Sequence, residues 1–141
     1  MLISDIMSRD VVTVSPRESV MFAAKLMSRY NIGSVPVAES GRLSGVVTDR
    51  DIVLRCVAGG EDPERTPVSD IMSRSVVTAA PEDTTERASE LMSRAQVRRL
   101  PVTKDGKLVG VVSLGDLARR TACGMEASKA LTDISMNLRG I

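Results

Sequence analysis

Ser4-Asp5-Ile6-Met7-Ser8-Arg9 recurs unchanged as Ser69-Asp70-Ile71-Met72-Ser73-Arg74, 65 residues further along the chain. The same offset aligns residues 4–55 with residues 69–120 and gives 24 identities in 52 positions without a gap. Self-similarity at a fixed spacing indicates tandem copies of one structural unit. The 141-residue chain is therefore predicted to divide into a first copy at 1–58, a linker at 59–67, a second copy at 68–120 and a C-terminal helical tail at 121–141.

Each copy begins with a short strand and a helix. Val11-Val12-Thr13-Val14 is a β-branched run typical of a buried strand. Apolar side chains then recur at helical spacing, at Val20, Ala23, Ala24 and Met27 in the first copy. The sequence leaves the helix start open between two signals, a capping box of Ser15 with Glu18 and an N-cap at Ser19.

A hairpin and a second helix complete the copy. Residues 34–38 and 42–47 are strand-like, and Glu39-Ser40-Gly41 has the length and the glycine of a hairpin turn. Pro36 removes one ladder donor and indicates an edge position or a bulge. The next helix is expected near Asp49, with one side formed by Ile52, Val53 and Cys56. The unit is thus β-α-β-β-α, and the predicted class is α/β (α+β), with two units packed sheet to sheet in pseudo-twofold symmetry.

The tail has its own helical signal. Leu131, Ile134 and Leu138 recur at helical spacing, and Gly140 is placed to end that helix. Because the tail belongs to neither repeat, it is expected either to cover the repeat pair or to meet a second chain.

The composition excludes several classes of function. There is no histidine, which removes His general bases, catalytic triads and His-containing metal sites. Phe22 and Tyr30 are the only aromatic residues, so neither a stacked base nor an aromatic platform for single-stranded nucleic acid is expected. The net charge is +1, with 19 basic and 18 acidic residues interspersed, which argues against DNA, RNA or an anionic membrane as partner.

The cysteines and the first residues bear on location. Cys56 and Cys123 form no Cys-x-x-Cys pair, so both are interpreted as thiols that pack as small hydrophobes in a cytosolic protein. The first five residues meet charge at once, and no apolar run approaches the length of a membrane span. A cytoplasmic protein is expected.

The strongest candidate for chemistry is a motif that occurs once per copy. Gly45-Val46-Val47-Thr48-Asp49-Arg50-Asp51 is echoed by Gly110-Val111-Val112-Ser113-Leu114-Gly115-Asp116. A strand ends in a hydroxyl residue, and an aspartate follows three positions later at a helix start. One interpretation is a structural N-cap. The other is a nucleotide site, because a carboxylate accepts hydrogen bonds from ribose hydroxyls and the free N–H groups of a helix N-terminus donate to phosphate oxygens. A cap alone explains the hydroxyl but leaves the recurring glycine without a reason.

A second candidate is Val97-Arg98-Arg99-Leu100-Pro101-Val102. Paired arginines ahead of an apolar strand suit phosphate recognition, because each guanidinium can fork onto two oxygens. The alternative is a solvated basic edge. The matching positions of the first copy are Gly33 and Ser34, which carry no charge.

These patterns together resemble the cystathionine-β-synthase (CBS) domain family. The resemblance rests on the two Ser-Asp-Ile-Met openings, the Val-Pro-Val and Leu-Pro-Val strands, and the two Gly-x-x-Thr/Ser-x-x-Asp motifs, and it covers about residues 4–120. Thr48-Asp49-Arg50-Asp51-Ile52 is similar to a string in stand-alone bacterial members with two domains. The resemblance implies a pseudo-twofold module with two clefts that often bind AMP, ADP, ATP or related adenosyl compounds, and modules that commonly dimerise.

The resemblance also implies roles for individual residues. Asp51 and Asp116 would hold ribose hydroxyls, assisted by Thr48 and Ser113. Aliphatic and backbone groups would face the adenine around Thr13, Ile32, Val35, Thr78, Val97 and Leu100.

Phosphate residues in this family are often donated across the pseudo-twofold axis. Arg98 and Arg99 would then serve the Asp51 cleft, and Arg50 the Asp116 cleft. Their counterparts in the other copy are uncharged, so the two clefts are expected to be unequal.

The sequence thus predicts a regulatory or sensor module and no enzyme, with no catalytic residue and no metal ligand. An adenosine nucleotide, AMP or ATP, would be its regulatory ligand, and no cofactor is required. A homodimer and an unidentified regulated protein are the expected partners, without membrane or nucleic acid. The alternative is a structural or protein-interaction module whose clefts stay unoccupied.

Overall fold

The computed structural model describes residues 1–119 and the backbone of residues 124–138, with side chains from 128 to 135 in that last segment. Its elements in chain order are α1 (Val20–Tyr30), β1 (Ser34–Glu39), β2 (Arg42–Thr48), the single turn α2 (Asp49–Asp51), a π-helix (Ile52–Val57), α3 (Thr85–Ala95), β3 (Arg99–Lys104), β4 (Lys107–Ser113), α4 (Leu114–Arg119) and α5 (Gly124–Leu138). Short 3₁₀ turns lie at Ile3–Asp5 and Val68–Asp70. The mixed α/β class and the repetition of elements predicted from the sequence are confirmed. None of the helices described is both long and apolar enough to cross a bilayer.

The start of the first helix in each copy is decided by a side-chain cap. The Ser19 hydroxyl accepts a hydrogen bond from the amide three residues on, at 3.1 Å, and Thr84 does the same at 3.2 Å. Ser15 and Glu18 instead close a turn ahead of α1, in which the Glu18 carboxylate accepts from the Ser15 amide at 2.8 Å. Of the two starts that the sequence left open, the N-cap at Ser19 is correct.

Both predicted hairpins are confirmed. β1 pairs antiparallel with β2, and β3 pairs antiparallel with β4. The two turn residues have positive φ in each hairpin, 52° and 78° at Ser40-Gly41 and 53° and 79° at Asp105-Gly106, as in a type I′ turn. The register shifts between Val37 and Ala38, two positions after Pro36, so a bulge lies near the proline, one of the two expected alternatives.

The predicted strand at residues 11–14 is wrong in extent. Only Val14 forms a bridge, which is parallel to Val37, and its amide donates to the Pro36 carbonyl at 3.1 Å. The remaining three residues have no ladder partner and stay partly or fully exposed. β-branched composition favours extended backbone but cannot supply a neighbouring strand.

The compact units do not coincide with the sequence repeats. One unit is Val12–Val76, here called the first unit, and the second unit combines Met1–Val11 with the chain from Val77 onward. The repeats therefore exchange their opening segments. Ser8 exchanges backbone hydrogen bonds of 2.9 Å with Val111 of β4, and Ser73 pairs in the same way with Val46 of β2.

Each unit buries its own core. The first-unit core consists of Val14, Val20, Ala23, Met27, Val35, Val37, Val47, Cys56, Val68, Ile71 and Met72. The second-unit core consists of Ile3, Met7, Ala79, Ala88, Met92, Leu100, Val102, Val112 and Leu117. The isoleucine and methionine side chains of each opening segment thus fill the core of the other repeat's unit.

The segment after β2 departs from the predicted α-helix. Its last six residues form a π-helix, in which the Ala58 amide donates to the Val53 carbonyl five residues back. Cys56 is buried as expected, but Val53 is exposed, so placing it on the buried side with Ile52 and Cys56 was wrong. The wider π-helical turn changes which positions share a face.

The C-terminal helix covers the second unit. α5 packs on α3 and α4, with Ala130 and Ile134 buried in that contact. Leu131 is exposed, although its spacing predicted the same face as Ile134. The predicted helix end at Gly140 and the side chain of Leu138 lie outside the described residues.

Candidate functional site

The hydroxyl and aspartate of each repeated motif form a capping box. The Thr48 hydroxyl accepts from the Asp51 amide at 3.0 Å, and Asp51 Oδ2 accepts from the Thr48 amide at 2.9 Å. Ser113 and Asp116 make the same pair of bonds at 3.1 and 2.8 Å. The structural interpretation of these residues is therefore correct, and a ligand contact would be additional to it.

The glycines of the motif are explained by close packing. A Cβ on Gly45 would lie 2.5 Å from the Ser73 carbonyl oxygen, and one on Gly110 would lie 2.7 Å from Met7 Sδ and 2.9 Å from the Ser8 carbonyl oxygen. The opening segments pair with β2 and β4 at these points. The recurring glycine thus has a structural reason that sequence analysis did not find.

One carboxylate oxygen of Asp51 remains outside the capping box. Asp51 Oδ1 accepts from the Ser73 hydroxyl at 3.5 Å, and Arg55 Nε lies 3.9 Å from it. Arg55 is held in place because it also donates to the carbonyls of Ile71 and Met72, at 3.1 and 3.3 Å. Asp51 is therefore a buried acceptor that has a cation beside it.

Asp116 has the same arrangement with a different arginine. Asp116 Oδ1 accepts from the Arg119 guanidinium. The Asp116 side chain is largely buried, whereas that of Arg119 is 74% exposed. Arg119 follows its aspartate by three residues and Arg55 by four, so both arginines could have been found from helical spacing.

A groove of about 670 Å³ lies beside this aspartate in the second unit. Its size is within the range of small-molecule sites. The arginine pair predicted for phosphate lies here together with the Ser113 hydroxyl, and the Leu114 amide donates to the Arg98 carbonyl at 2.8 Å. The groove is lined by Arg98, Arg99, Ser113, Leu114, Gly115, Ala118, Arg119, Ser128 and Leu131.

The matching region of the first unit carries a negative charge. Asp49 stands where the second unit has Leu114, and its amide donates to the Gly33 carbonyl at 2.9 Å. Its carboxylate lies 3.0 Å from the position that a Cβ on Gly33 would occupy. Arg50 is exposed, and its amide is bonded by the Asp49 side chain at 2.8 Å. The two units thus differ in local charge.

The residues predicted to face adenine differ in accessibility. Val35 and Leu100 are fully buried in the two cores and offer no surface to a ligand. Ile32 and Val97 pack at the edges of these cores and are partly exposed. Thr13 is exposed, and Thr78 is half-buried.

The described residues contain no cluster of acidic residues and cysteines that could hold a metal ion. Cys56 lies in the first-unit core, where burial first, and then the charges of Glu61 and Asp62, raise the pKa of its thiol. The thiol therefore stays protonated at neutral pH, which agrees with a packing role. Cys123 lies outside the described residues.

Comparison with protein families finds two matches to the CBS domain, at residues 3–57 and 68–122. The chain is 47% identical over 133 residues to the CBS domain-containing protein YhcV of Bacillus subtilis, covering 94% of both chains. Among solved structures it resembles Hypoxic Response Protein I with two coordinated zinc ions, with a TM-score of 0.79, 32% identity, and coverage of 85% of this chain and 98% of that one.

A further solved structure contains adenosyl ligands. The CBS domain pair of protein MJ0100 in complex with 5′-methylthioadenosine and S-adenosyl-L-methionine matches with a TM-score of 0.73 and 30% identity. The match covers 84% of this chain and 94% of that one.

Proposed function

Because the chain belongs to the CBS domain family, whose paired domains are regulatory modules, we propose that it senses an adenosine nucleotide, AMP or ATP. The nucleotide acts as a regulatory ligand, and the response passes to a partner protein. The relative that binds adenosyl compounds supports this class of ligand. Two cysteines without a Cys-x-x-Cys pair fit a reducing cytoplasm as the place of action.

One observation carries the proposal: the second-unit groove combines three arginines with the Ser113 hydroxyl. Arg98, Arg99 and Arg119 can each fork onto phosphate oxygens. Ser113 is bonded to Asp116, so a ribose acceptor adjoins the anion-binding side chains. This pairing of positive charge with a carboxylate matches the two chemically distinct parts of a nucleotide.

The first unit is proposed to bind phosphate less strongly. Its counterparts of the arginine pair are Gly33 and Ser34, and the Asp49 carboxylate adjoins Gly33. The crossed assignment, in which Arg98 and Arg99 serve the Asp51 cleft, is the alternative to this proposal and stays a prediction. Replacing both arginines with Ala and titrating each site by calorimetry distinguishes the two, because the phosphate preference is lost at the Asp116 site in the proposal and at the Asp51 site in the alternative.

Thermal unfolding with a panel of adenosine, AMP, ADP, ATP and GTP tests the proposed function. A ligand that binds only the folded state stabilises it by about 2.7 kcal/mol at 100 times its Kd. For a chain of this length the melting temperature should rise by roughly 5–10 °C. We expect such a rise with AMP or ATP and little with GTP; no rise with any adenosine compound would refute the proposal.

A second candidate function is an interaction module with unoccupied clefts. It is favoured by the finding that capping and close packing account for the recurring glycine, hydroxyl and aspartate of the motif, which are Gly45, Thr48 and Asp51 in the first copy. The same panel separates the two, since an interaction module gains no stability from nucleotides.

A homodimer is proposed as the working assembly. The π-helix exposes Val53, Leu54 and Val57, here called the apolar patch. In the second unit, α5 packs on α3 and α4, whereas Val12–Val76 contains no further helix of its own that could cover the patch. A second copy of the chain would bury the patch in a symmetric contact.

A further inference from the structure

Asp51 and Asp116, the two aspartates proposed to bind ribose, each have an arginine beside Oδ1, the carboxylate oxygen that takes no part in the capping box. Asp116 Oδ1 bonds Arg119, while its Oδ2 accepts from the Ser113 amide at 2.8 Å. Arg55 Nε lies 3.9 Å from Asp51 Oδ1. A ribose diol brings two donors to the carboxylate. In each unit, one ribose hydroxyl would therefore have to donate to a carboxylate oxygen that already has an arginine beside it.

The two arginines differ in how firmly they are held. Arg55 is anchored by the carbonyls of Ile71 and Met72 as well as by Asp51. Arg119 is 74% exposed and lines the groove beside Arg98 and Arg99. Rotation about its side-chain bonds can move the guanidinium from the carboxylate into the groove without disturbing the core.

We infer that Arg119 makes the second-unit groove selective for ligands that carry an anionic group beside a vicinal diol. This inference rests on the proposed function and adds its specificity-determining residue. The structure shows the Arg119 guanidinium donating to Asp116 Oδ1. A phosphate draws the guanidinium away and so frees the oxygen for a ribose hydroxyl. A nucleoside has no phosphate to which the displaced Arg119 could bind, so its ribose must break the Arg119–Asp116 contact without compensation.

Gly115 keeps space open for this exchange. A Cβ there would lie 3.6 Å from Ser113 Oγ and 3.9 Å from Arg119 Nη1, both ordinary contact distances. Longer side chains at this position would fill the space between the hydroxyl and the guanidinium. Leucine at this position should therefore block nucleoside and nucleotide alike.

The test compares ATP and adenosine binding by wild type and Arg119→Gln, followed through the amide resonances of Ser113 and Gly115. A hydrogen bond to a charged group corresponds to a roughly tenfold to hundredfold change in affinity. We expect ATP affinity to fall by about that factor while adenosine affinity is unchanged or rises. Arg119→Lys should recover part of the ATP affinity, because it keeps the charge. Arg87→Gln is the matched control, since it removes an exposed i,i+3 ion pair with Glu90 elsewhere in the unit.

The remaining outcomes overturn the inference. An equal fall for both ligands would mean that Arg119 only shapes the site, and no change for either would mean that it stays on Asp116. In both cases wild-type binding would leave the proposed function standing. Wild type that binds neither ligand would refute the proposed function and the inference together. Gly115→Leu, which should abolish the ligand-induced shift of the Ser113 amide with ATP and with adenosine, verifies that the shifts report on the groove.

Discussion

Asp51 and Asp116 each divide their carboxylate between a structural contact and a proposed ligand contact. Oδ2 closes the capping box, and Oδ1 faces an arginine. A carboxylate accepts several hydrogen bonds at once, so the two roles are compatible. A substitution that removes both oxygens therefore mixes two effects, and a useful variant must separate them.

Asp51→Asn and Asp51→Ala separate these roles. Asparagine keeps an acceptor for the Thr48 amide, so its melting temperature should stay near that of wild type. Alanine loses the hydrogen bond that Asp51 Oδ2 accepts from the Thr48 amide, which costs about 0.5–1.5 kcal/mol, while the Thr48 hydroxyl still caps the helix. Both should weaken nucleotide binding at this site by roughly tenfold to hundredfold, because the charged acceptor is gone. Calorimetry measures the nucleotide affinity of each variant, and the melting temperature measures its stability. Unchanged affinity in both variants would mean that Asp51 only closes the capping box and does not bind the ligand.

Gly45 in the first motif and Gly115 in the second are packed against very different surroundings. Gly45→Ala places a Cβ 2.5 Å from the Ser73 carbonyl oxygen, so backbone must shift, and we expect destabilisation by about 1–3 kcal/mol. Gly115→Ala is the matched control in α4, where the nearest atom is 3.6 Å away, and helix propensity predicts stabilisation of up to about 1 kcal/mol. Urea unfolding measures both, and equal effects would contradict the close-packing explanation.

At the scale of elements, the sequence correctly predicted the turns, bulges and helix caps that depend only on residues close together in the chain. The positive-φ turn at Ser40-Gly41 and the bulge after Pro36 follow from backbone restrictions of single residues. The capping box of Thr48 and Asp51 likewise needs only neighbours in sequence. These features could be predicted from the sequence because no distant contact competes with them.

Elements that depend on partners far away in the sequence could not be predicted. Residues 11–14 have strand composition, but only Val14 meets a neighbour to pair with. The π-helix changes the face on which Val53 lies, and apolar spacing cannot distinguish it from an α-helix. The groove could not be predicted from the sequence either. Two of its lining residues, Ser128 and Leu131, belong to α5 and line the groove only because α5 packs on the second unit.

The contact of α5 with the second unit predicts contrasting effects of two neighbouring substitutions. Ile134→Ala should destabilise by about 2–5 kcal/mol, because Ile134 is buried between α5 and the helices beneath it. Leu131→Ala should cost much less, since Leu131 is exposed. Urea unfolding compares them, and a small effect of Ile134→Ala would mean that α5 does not dock as described.

At the scale of the whole molecule, the exchange of opening segments could not be deduced from the sequence. Residues 4–9 and 69–74 are identical, so each is compatible with either hairpin. The structure pairs Ser8 with β4 and Ser73 with β2. The exchange couples the ends of the chain, since Ile3 and Met7 are core residues of the unit that also contains α5.

The apolar patch predicts that the protein is a homodimer. Val53, Leu54 and Val57 are 55, 50 and 64% exposed, and residues of this size on one short helix favour self-association. The aligned residues of the second copy, among them Ala118 and Arg119, are smaller or charged.

Sedimentation equilibrium should therefore give twice the chain mass of 15.1 kDa for the wild type at micromolar concentration. Val53→Glu combined with Val57→Glu should shift the protein to the monomer, because burying two unpaired carboxylates in the contact is unfavourable. The double variant should keep its fold, since both positions are exposed in the single chain. Val77→Glu is the control, an exposed valine outside the patch, and should remain dimeric. A wild type that sediments as monomer, or a control that dissociates as readily as the double variant, would show that this patch does not join two chains.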